Sequence, residues 1–430
     1  MLTEAALLNY DTFFDTADHG LNLTPAGDAL DRGWHALTLG GLAPGGVHKV
    51  DLAKYAPDNL EPITSAMHVY TGEVEGKTTL ALAFRSTDEG GNEFLFQAGP
   101  GPQPGTFGWD AYVAEHLPAI VAALSYAANP ANGIDQVLIT GHSLGGVLAE
   151  LVTARILAGN PAFAGLLDKT LTMTFGSPGS VAEAPAGAKI LNILHSDDFV
   201  ARLPELSPLF AAIGAEREGK DILVDRPEAT LPKFQPTDLD TPEELFAATQ
   251  NPVLKIEHQI QLYVDTASEL DRNENVVAGV AGHADDPFRF LRADLDKAVI
   301  GTDQADRLQG GAADEVILGK AGNDQLYGAG GDDGLAGEAG NDRLWGGVGN
   351  DRLDGGAGND RLCGEGGNDT VFGGAGNDRL QLGAGRDIAA YAAHHTSAGL
   401  EGGADVVLDF QRCQDRLALG FEDEVGSGSH

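Results

Sequence analysis

The sequence predicts an α/β domain followed by an all-β parallel β-roll, and three observations carry that reading. From residue 1 to 298, apolar β-branched runs alternate with Ala/Leu-rich stretches of helical period. At Gly301 a nine-residue period begins and continues without insertion for ten units, to residue 390. Gly makes up 59 of 430 residues although 42% of the chain is hydrophobic, so an excess of about twice the usual ~7% share belongs to one segment of an otherwise globular protein. The boundaries that follow are an α/β domain over 1–298, a β-roll over 299–390 and a C-terminal β cap over 391–425. Residues 426–430, GSGSH, read as an appended linker tail.

In the first region, Lys77–Phe84 (KTTLALAF), Gln136–Thr140 (QVLIT), Thr170–Phe175 (TLTMTF) and Lys189–Leu194 (KILNIL) read as buried strands. Asp110–Ala127 and Leu148–Leu157 read as helices between them, and Pro118, well inside the first, predicts a kink or a break. Strand and helix in alternation fit a mostly parallel sheet.

In the second region the sixth position of every unit is acidic: Asp306, Glu315, Asp324, Asp333, Asp342, Asp351, Asp360, Asp369, Asp378 and Asp387. The eighth is Leu, Ile or Val in nine units and Ala389 in the last, and Gly holds the fourth position from Gly322 to Gly385. Six residues that turn and three that form a short strand, with the eighth side chain inward, give half a coil of a parallel roll. Gly permits positive φ and lets carbonyls converge. The sixth-position carboxylate is a hard oxygen ligand of the kind Ca²⁺ takes in groups of six to eight. With one inward apolar side chain in nine, such a coil is expected to need metal to fold. A disordered Gly/Asp linker would have no reason to keep an aliphatic residue at one position in nine. Residues 403–419 (GADVVLDFQRCQDRLAL) then read as strand, turn and strand, the cap that covers the open end of the roll.

Charge and cysteine content exclude several classes. Sixty-four acidic residues against 27 basic ones leave a net charge of −37, which opposes attraction to phosphate backbones and anionic membranes, so nucleic acid is not an expected partner. Cys363 and Cys413 cannot make a disulfide framework. The start, MLTEAALLNYDTFFDTADHG, has no basic region before an apolar one, and no run of about 18 apolar residues occurs, so neither a cleaved signal nor a transmembrane segment is expected.

The chemistry points to Gly141-His142-Ser143-Leu144-Gly145, a G-x-S-x-G after the strand QVLIT and before a helix. Gly on both sides of the serine removes Cβ clashes in a sharp strand-to-helix turn, and the helix N-terminus favours an oxyanion. A nucleophilic serine needs a base and a group to orient it, and in sheets of this kind the chain order is Ser, Asp, His. Asp197 and Asp198 follow the strand KILNIL, and His258 and His283 are the histidines between them and the repeats.

Four segments resemble the class 3 lipases: GHSLGG at 141–146, FGSPG at 175–179, HSDDFVARLP at 195–204 and FRST at 84–87, where Ser86 stands in place of a Gly. The nonapeptides, as in GGAGNDRLC at 355–363, resemble the calcium-binding RTX repeat. Together they resemble calcium-dependent bacterial lipases secreted through type I exporters, which implies an α/β-hydrolase domain and an RTX β-roll. The H-x-x-D-x-V-x-x-L-P register of that resemblance selects Asp198. It favours His258, 60 residues beyond Asp198, as base, with His283 the alternative near the faint DLNRN-like Leu270-Asp271-Arg272-Asn273. It also implies oxyanion donors at Thr87 and Leu144, an acyl-enzyme on Ser143, and a lipid or ester substrate at an interface. The implied protein is secreted and monomeric. Multiple Ca²⁺ ions would be held in the roll by Asp306, Asp324, Asp333, Asp342, Asp351, Asp360, Asp369, Asp378 and Asp387. Pairing each unit with the one two further on allows at most eight sites. A lid is expected within 87–109 or at 203–213. A phospholipase A1 with the same triad, and a calcium-binding structural or adhesive protein with an inert hydrolase-like domain, are the competing readings.

Overall fold

The computed structural model describes residues 1–14, 32–40, 42, 46–51, 64–85, 108–157, 159–180, 183–196, 198, 200–201, 219–225, 260–273, 297–391, 395–396, 399–400, 405–411 and 414–419. The chain divides into two compact units, one of Met1–Asp221 with Lys233–Asp271 and the other of Ile222–Pro232 with Arg272–His430.

The first unit opens with helix α1 (Leu2–Phe14). Strands β1 (His35–Ala36), β2 (Val47–Asp51), β3 (Thr64–Val74) and β4 (Lys77–Phe84) follow, with β1, β2 and β4 all antiparallel to β3. Helix α2 (Gly108–Ala128) then leads to β5 (Gln136–His142), α3 (Leu144–Leu151), β6 (Thr170–Phe175) and β7 (Ile190–His195). Strands β4, β5, β6 and β7 are parallel neighbours in that order, the mostly parallel sheet that the alternating pattern predicts. Every residue of β5, β6 and β7 is buried. Leu82, Ile139, Ile120, Leu124, Val147 and Leu151 join sheet and helices in one core. The chain passes into the second unit within β8 (Lys220–Asp225), and the first unit ends with α4 (Ile260–Arg272), whose Ile260, Tyr263, Val264, Ala267 and Leu270 form a buried stripe at helical spacing.

Two features depart from the sequence expectation. Helix α2 runs through Pro118 without a break. Pro118 lies on the exposed side of the helix, beside Leu117 at 39% exposure, so water can take the carbonyl that its missing N–H leaves unbonded. The stretch after α3 is a π-helical turn over Val152–Leu157 rather than a continued α-helix. Helix α1 has no counterpart in the pattern reading. It is anchored by Asn9, whose amide donates to Thr140 Oγ1 at 2.7 Å, and by the Met1 ammonium, 3.1 Å from Asp271 of α4.

In the second unit Leu223–Asp225 pairs in parallel with Lys297–Ile300, and from there the chain winds as a roll of two parallel sheets. One sheet holds Glu315–Leu318, Gly334–Ala336, Arg352–Asp354, Thr370–Phe372 and Ile388–Tyr391. The other holds Arg307–Gln309, Gln325–Gly330, Arg343–Val348, Arg361–Gly366 and Arg379–Gln381. Leu326 faces Leu344 and Leu344 faces Leu362, so each coil takes two nine-residue units. The eighth-position residues, from Leu308 to Ala389, are the interior.

The chain beyond the repeats extends both ladders. Val406–Val407 pairs with Arg379–Leu380, and Arg416–Leu419 with Ile388–Tyr391. Asp405 and Asp415 accept the N–H groups of Asp378 and Asp387, the place a sixth-position acid would take in a further coil. Their spacings of 27 and 28 residues instead of 18 hide this coil from the nine-residue register. Among the described residues no helix is long and apolar enough to cross a membrane.

Candidate active site and calcium ladder

Strand β5 ends in the interior, and the chain reverses at Ser143 into α3. Ser143 has φ 56° and ψ −125°, a conformation that costs a non-glycine residue on the order of 1–3 kcal/mol and recurs where a nucleophile is presented at a strand-to-helix turn. Its N–H donates to the carbonyl of Phe175 at the end of β6, at 2.9 Å. A Cβ on Gly141 would strike the carbonyl of Gly145, and one on Gly145 would strike that of Phe84 at the end of β4. The turn therefore closes only with glycine on either side of the serine. Leu144 is the first residue of α3, so its N–H is among those a helix start leaves without an intrahelical acceptor.

At the end of β7, Asp198 is fully buried. Its Oδ1 accepts the N–H groups of Val200 at 2.8 Å and Ala201 at 3.2 Å, and its Oδ2 accepts the hydroxyl of Tyr263 at 2.5 Å. Such bonds fix the orientation of the carboxylate. Gly176, at φ 59°, follows the residue whose carbonyl holds Ser143, and a Cβ there would lie 2.9 Å from Asp198 Oδ2 and 2.8 Å from Tyr263 Oη. Ser143 and Asp198 thus both abut the two-residue end of β6, Phe175–Gly176. Beside them Ser177 donates to the buried carboxylate of Glu150 at 2.8 Å, tying the FGSPG loop to α3.

Of the other expected site residues, Thr87, His258 and His283 lie outside the described residues, as do Asp197 and, of the lid segments, residues 87–107 and 203–213; residues 108 and 109 open helix α2. Arg85, the last described residue after β4, is buried, and its N–H donates to Ala66. Tyr263 was not legible as a site residue. The signal available was its place on the buried stripe of α4, because a buried tyrosine hydroxyl needs a polar partner.

The roll carries a second constellation. Asp324, Asp333, Asp342, Asp351, Asp360, Asp369, Asp378 and Asp387 are each at most 2% exposed. In each, Oδ1 accepts the N–H of the acidic residue 18 positions earlier. The Oδ2 of each is buried without a hydrogen-bond partner among the described residues. An array of buried, unsatisfied carboxylate oxygens is costly. Burial pushes the carboxyls of Asp324, Asp342 and Asp351 up to about 6 and those of Asp333, Asp360 and Asp369 up to about 7. A hard divalent cation removes the cost, and carboxylate with carbonyl oxygen is the donor set Ca²⁺ prefers. Among the described residues no three His, Cys, Asp or Glu side chains converge, so backbone carbonyls would have to complete each shell. The first two units differ. Asp306 Oδ2 accepts Thr302 N–H at 2.7 Å, and Glu315 Oε2 accepts Gly311 N–H at 2.8 Å.

A glycine-flanked serine at a strained strand-to-helix turn, joined to a coil with a ladder of orphaned carboxylate oxygens, defines a calcium-binding hydrolase class. Residues 111–207 match the lipase (class 3) family, and residues 300–335, 327–362 and 363–389 match the RTX calcium-binding nonapeptide repeat. The chain thus carries a class 3 lipase segment followed by RTX calcium-binding nonapeptide repeats. Among solved structures it is similar to the extracellular lipase LipA from Serratia marcescens, at 17% identity over 95% of this chain and 82% of that one, with a TM-score of 0.46. No curated protein matches it.

Proposed function

We propose that the protein is a secreted, calcium-dependent lipase or carboxylesterase that hydrolyses acylglycerol or related esters through an acyl-enzyme on Ser143. The observation that carries the reading is the strained Ser143 turn, set against the same end of β6 as the buried, hydrogen-bonded Asp198. Ser143 Oγ attacks the ester carbonyl while His258 takes its proton. Asp198, held by Val200, Ala201 and Tyr263, orients that imidazole by accepting its N–H. The N–H groups of Leu144 and Thr87 hold the oxyanion. His258 returns the proton to the leaving alcohol, and water then cleaves the acyl-enzyme with the same imidazole as base.

In the roll, the eight aspartates from Asp324 to Asp387 hold Ca²⁺ through their orphaned Oδ2 atoms. At Asp306 a calcium ion would have to displace the Thr302 bonds. Calcium, when bound, neutralises these carboxylates and ties neighbouring coils together, so the roll folds where calcium is plentiful. That fits export by a type I machinery and action outside the cell as a monomer at a lipid interface.

The test is hydrolysis of p-nitrophenyl esters, triglyceride and phosphatidylcholine by wild type and Ser143→Ala, with and without calcium. Ester turnover that vanishes in the variant and with chelator supports the reading. Near-full activity of Ser143→Ala overturns it, and phosphatidylcholine as the preferred substrate moves it to a phospholipase A1.

A further inference from the structure

Buried tyrosines are ordinarily core residues whose hydroxyl finds a convenient backbone partner. Tyr263 differs in what it touches. Its ring, fully buried, lies parallel to the His195 imidazole at 4.2 Å and 16°, and it makes further ring contacts with Phe175 and His142. Its hydroxyl accepts the His195 backbone N–H at 3.3 Å and donates to Asp198 Oδ2 at 2.5 Å. That donation is short for a phenol on a carboxylate and meets the residue proposed as triad acid. The position of the hydroxyl is fixed from two further sides. The ring is held by the end of β7, and Gly176 leaves the only room for the contact, since a Cβ there would crowd both Tyr263 Oη and Asp198 Oδ2.

We infer that Tyr263 is a positioning residue of the active site: its hydroxyl fixes the rotamer of Asp198 and disperses part of the carboxylate charge that faces the catalytic imidazole. The inference rests on the Ser143–Asp198 reading above, and it holds whether His258 or His283 supplies the base. Backbone N–H groups on Oδ1 and the phenol on Oδ2 pin the carboxylate at both oxygens, and the phenol is a clamp contributed by a side chain. Among the described residues, titratable groups against it include Asp198, His195 and His142.

The direction of the effect follows from the sharing of charge. With the phenol present, Asp198 is a weaker base and stabilises the imidazolium less. Without it, the same carboxylate holds more charge toward the imidazole and raises the pH at which the base loses its proton. The carboxylate is also free to rotate, which costs turnover and not substrate binding.

The experiment compares wild type, Tyr263→Phe, Asp198→Ala and the double variant, in calcium, on a soluble ester. A hydrogen bond to a charged group predicts a fall in kcat of about 10- to 100-fold for Tyr263→Phe. KM should stay within about twofold, and the acid limb of kcat/KM should move to higher pH. In the Asp198→Ala background, adding Tyr263→Phe should change the residual rate by less than about twofold, because the residue acts through Asp198. An unchanged kcat and acid limb, or an equal loss in both backgrounds, overturns the proposal. If Tyr263→Phe does not fold, 3-fluorotyrosine at position 263 decides. It keeps the shape, strengthens the donor, and should move the acid limb to lower pH, and no movement overturns the proposal. Ser143→Ala in parallel separates the two layers. If it stays active the triad reading itself has failed, whereas if it is dead and Tyr263 variants behave as wild type, only the positioning role has failed.

Discussion

Asp351 donates its backbone N–H to Oδ1 of Asp369 at 2.9 Å, and the other oxygen of Asp369 is buried with no hydrogen-bond partner among the described residues. One carboxylate thus carries two separate tasks, a rung of the coil-to-coil ladder and a cation ligand. Asp369→Asn keeps an oxygen for the rung and removes the charge. The calcium concentration at the midpoint of roll folding, read by circular dichroism, should rise by about tenfold or more, the scale on which metal sites respond to loss of a partner. Asp306→Asn, where Thr302 already satisfies the same oxygen, should shift it much less. Equal shifts for the two variants would remove the distinction between the ends and the middle of the ladder.

The same carboxylates make the roll respond to pH in opposite senses with and without metal. In the calcium-free fold, burial raises Asp333, Asp360 and Asp369 to about 7, above the unfolded value of 3.8. A group whose folded pKa is raised favours the fold fully below its unfolded pKa, and that contribution is lost as pH rises through the folded value. In chelator, acidification from pH 8 to pH about 5 should therefore increase the β-structure of the roll. In calcium, binding requires the ionised form, so calcium affinity should fall over the same range. A chelated roll that loses β-structure on mild acidification would contradict this.

At the elbow, Gly145→Ala would drive a Cβ into the Phe84 carbonyl. The backbone shift needed is expected to cost about 1–3 kcal/mol, seen as a lower melting temperature. Ester turnover should fall with it, since the shift moves the N-terminus of α3. Retained stability with full turnover would mean that the turn does not depend on that close approach.

His258→Ala and His283→Ala separate the two candidate bases. Loss of a triad base leaves a residual rate on the order of 10³–10⁴ over water, so His258→Ala should be nearly inert. His283→Ala should stay within a few-fold of wild type. The reverse pattern would transfer the role to His283 and leave Ser143 and Asp198 in place.

Much of this arrangement is legible in the sequence, and the parts that are not have physical reasons. The β-roll was legible because each coil repeats one local solution, and its eighth-position residues are the interior. The serine turn is legible because its pattern is local: Gly141 is demanded by the Gly145 carbonyl four residues on, although Gly145 answers to Phe84 at the end of β4. Tyr263 was not, because its partner lies 65 residues away and nothing in HQIQLYVDTASEL distinguishes a core tyrosine from one that meets a carboxylate. The last coil, at Asp405 and Asp415, was read only as a strand-turn-strand cap, since extra residues before it break the nine-residue register. Pro118 misled because a proline's effect on a helix depends on whether water reaches the carbonyl it strands, which the sequence does not state.

The central claim is that Ser143 is the nucleophile of an ester hydrolase. Its most direct test is mass spectrometry of the calcium-loaded protein after treatment with a fluorophosphonate. A single adduct on the peptide carrying Ser143, formed in step with loss of esterase activity and absent from Ser143→Ala, is the predicted result. Full esterase activity with Ser143 unmodified, or an adduct on another serine that accounts for the lost activity, would contradict it.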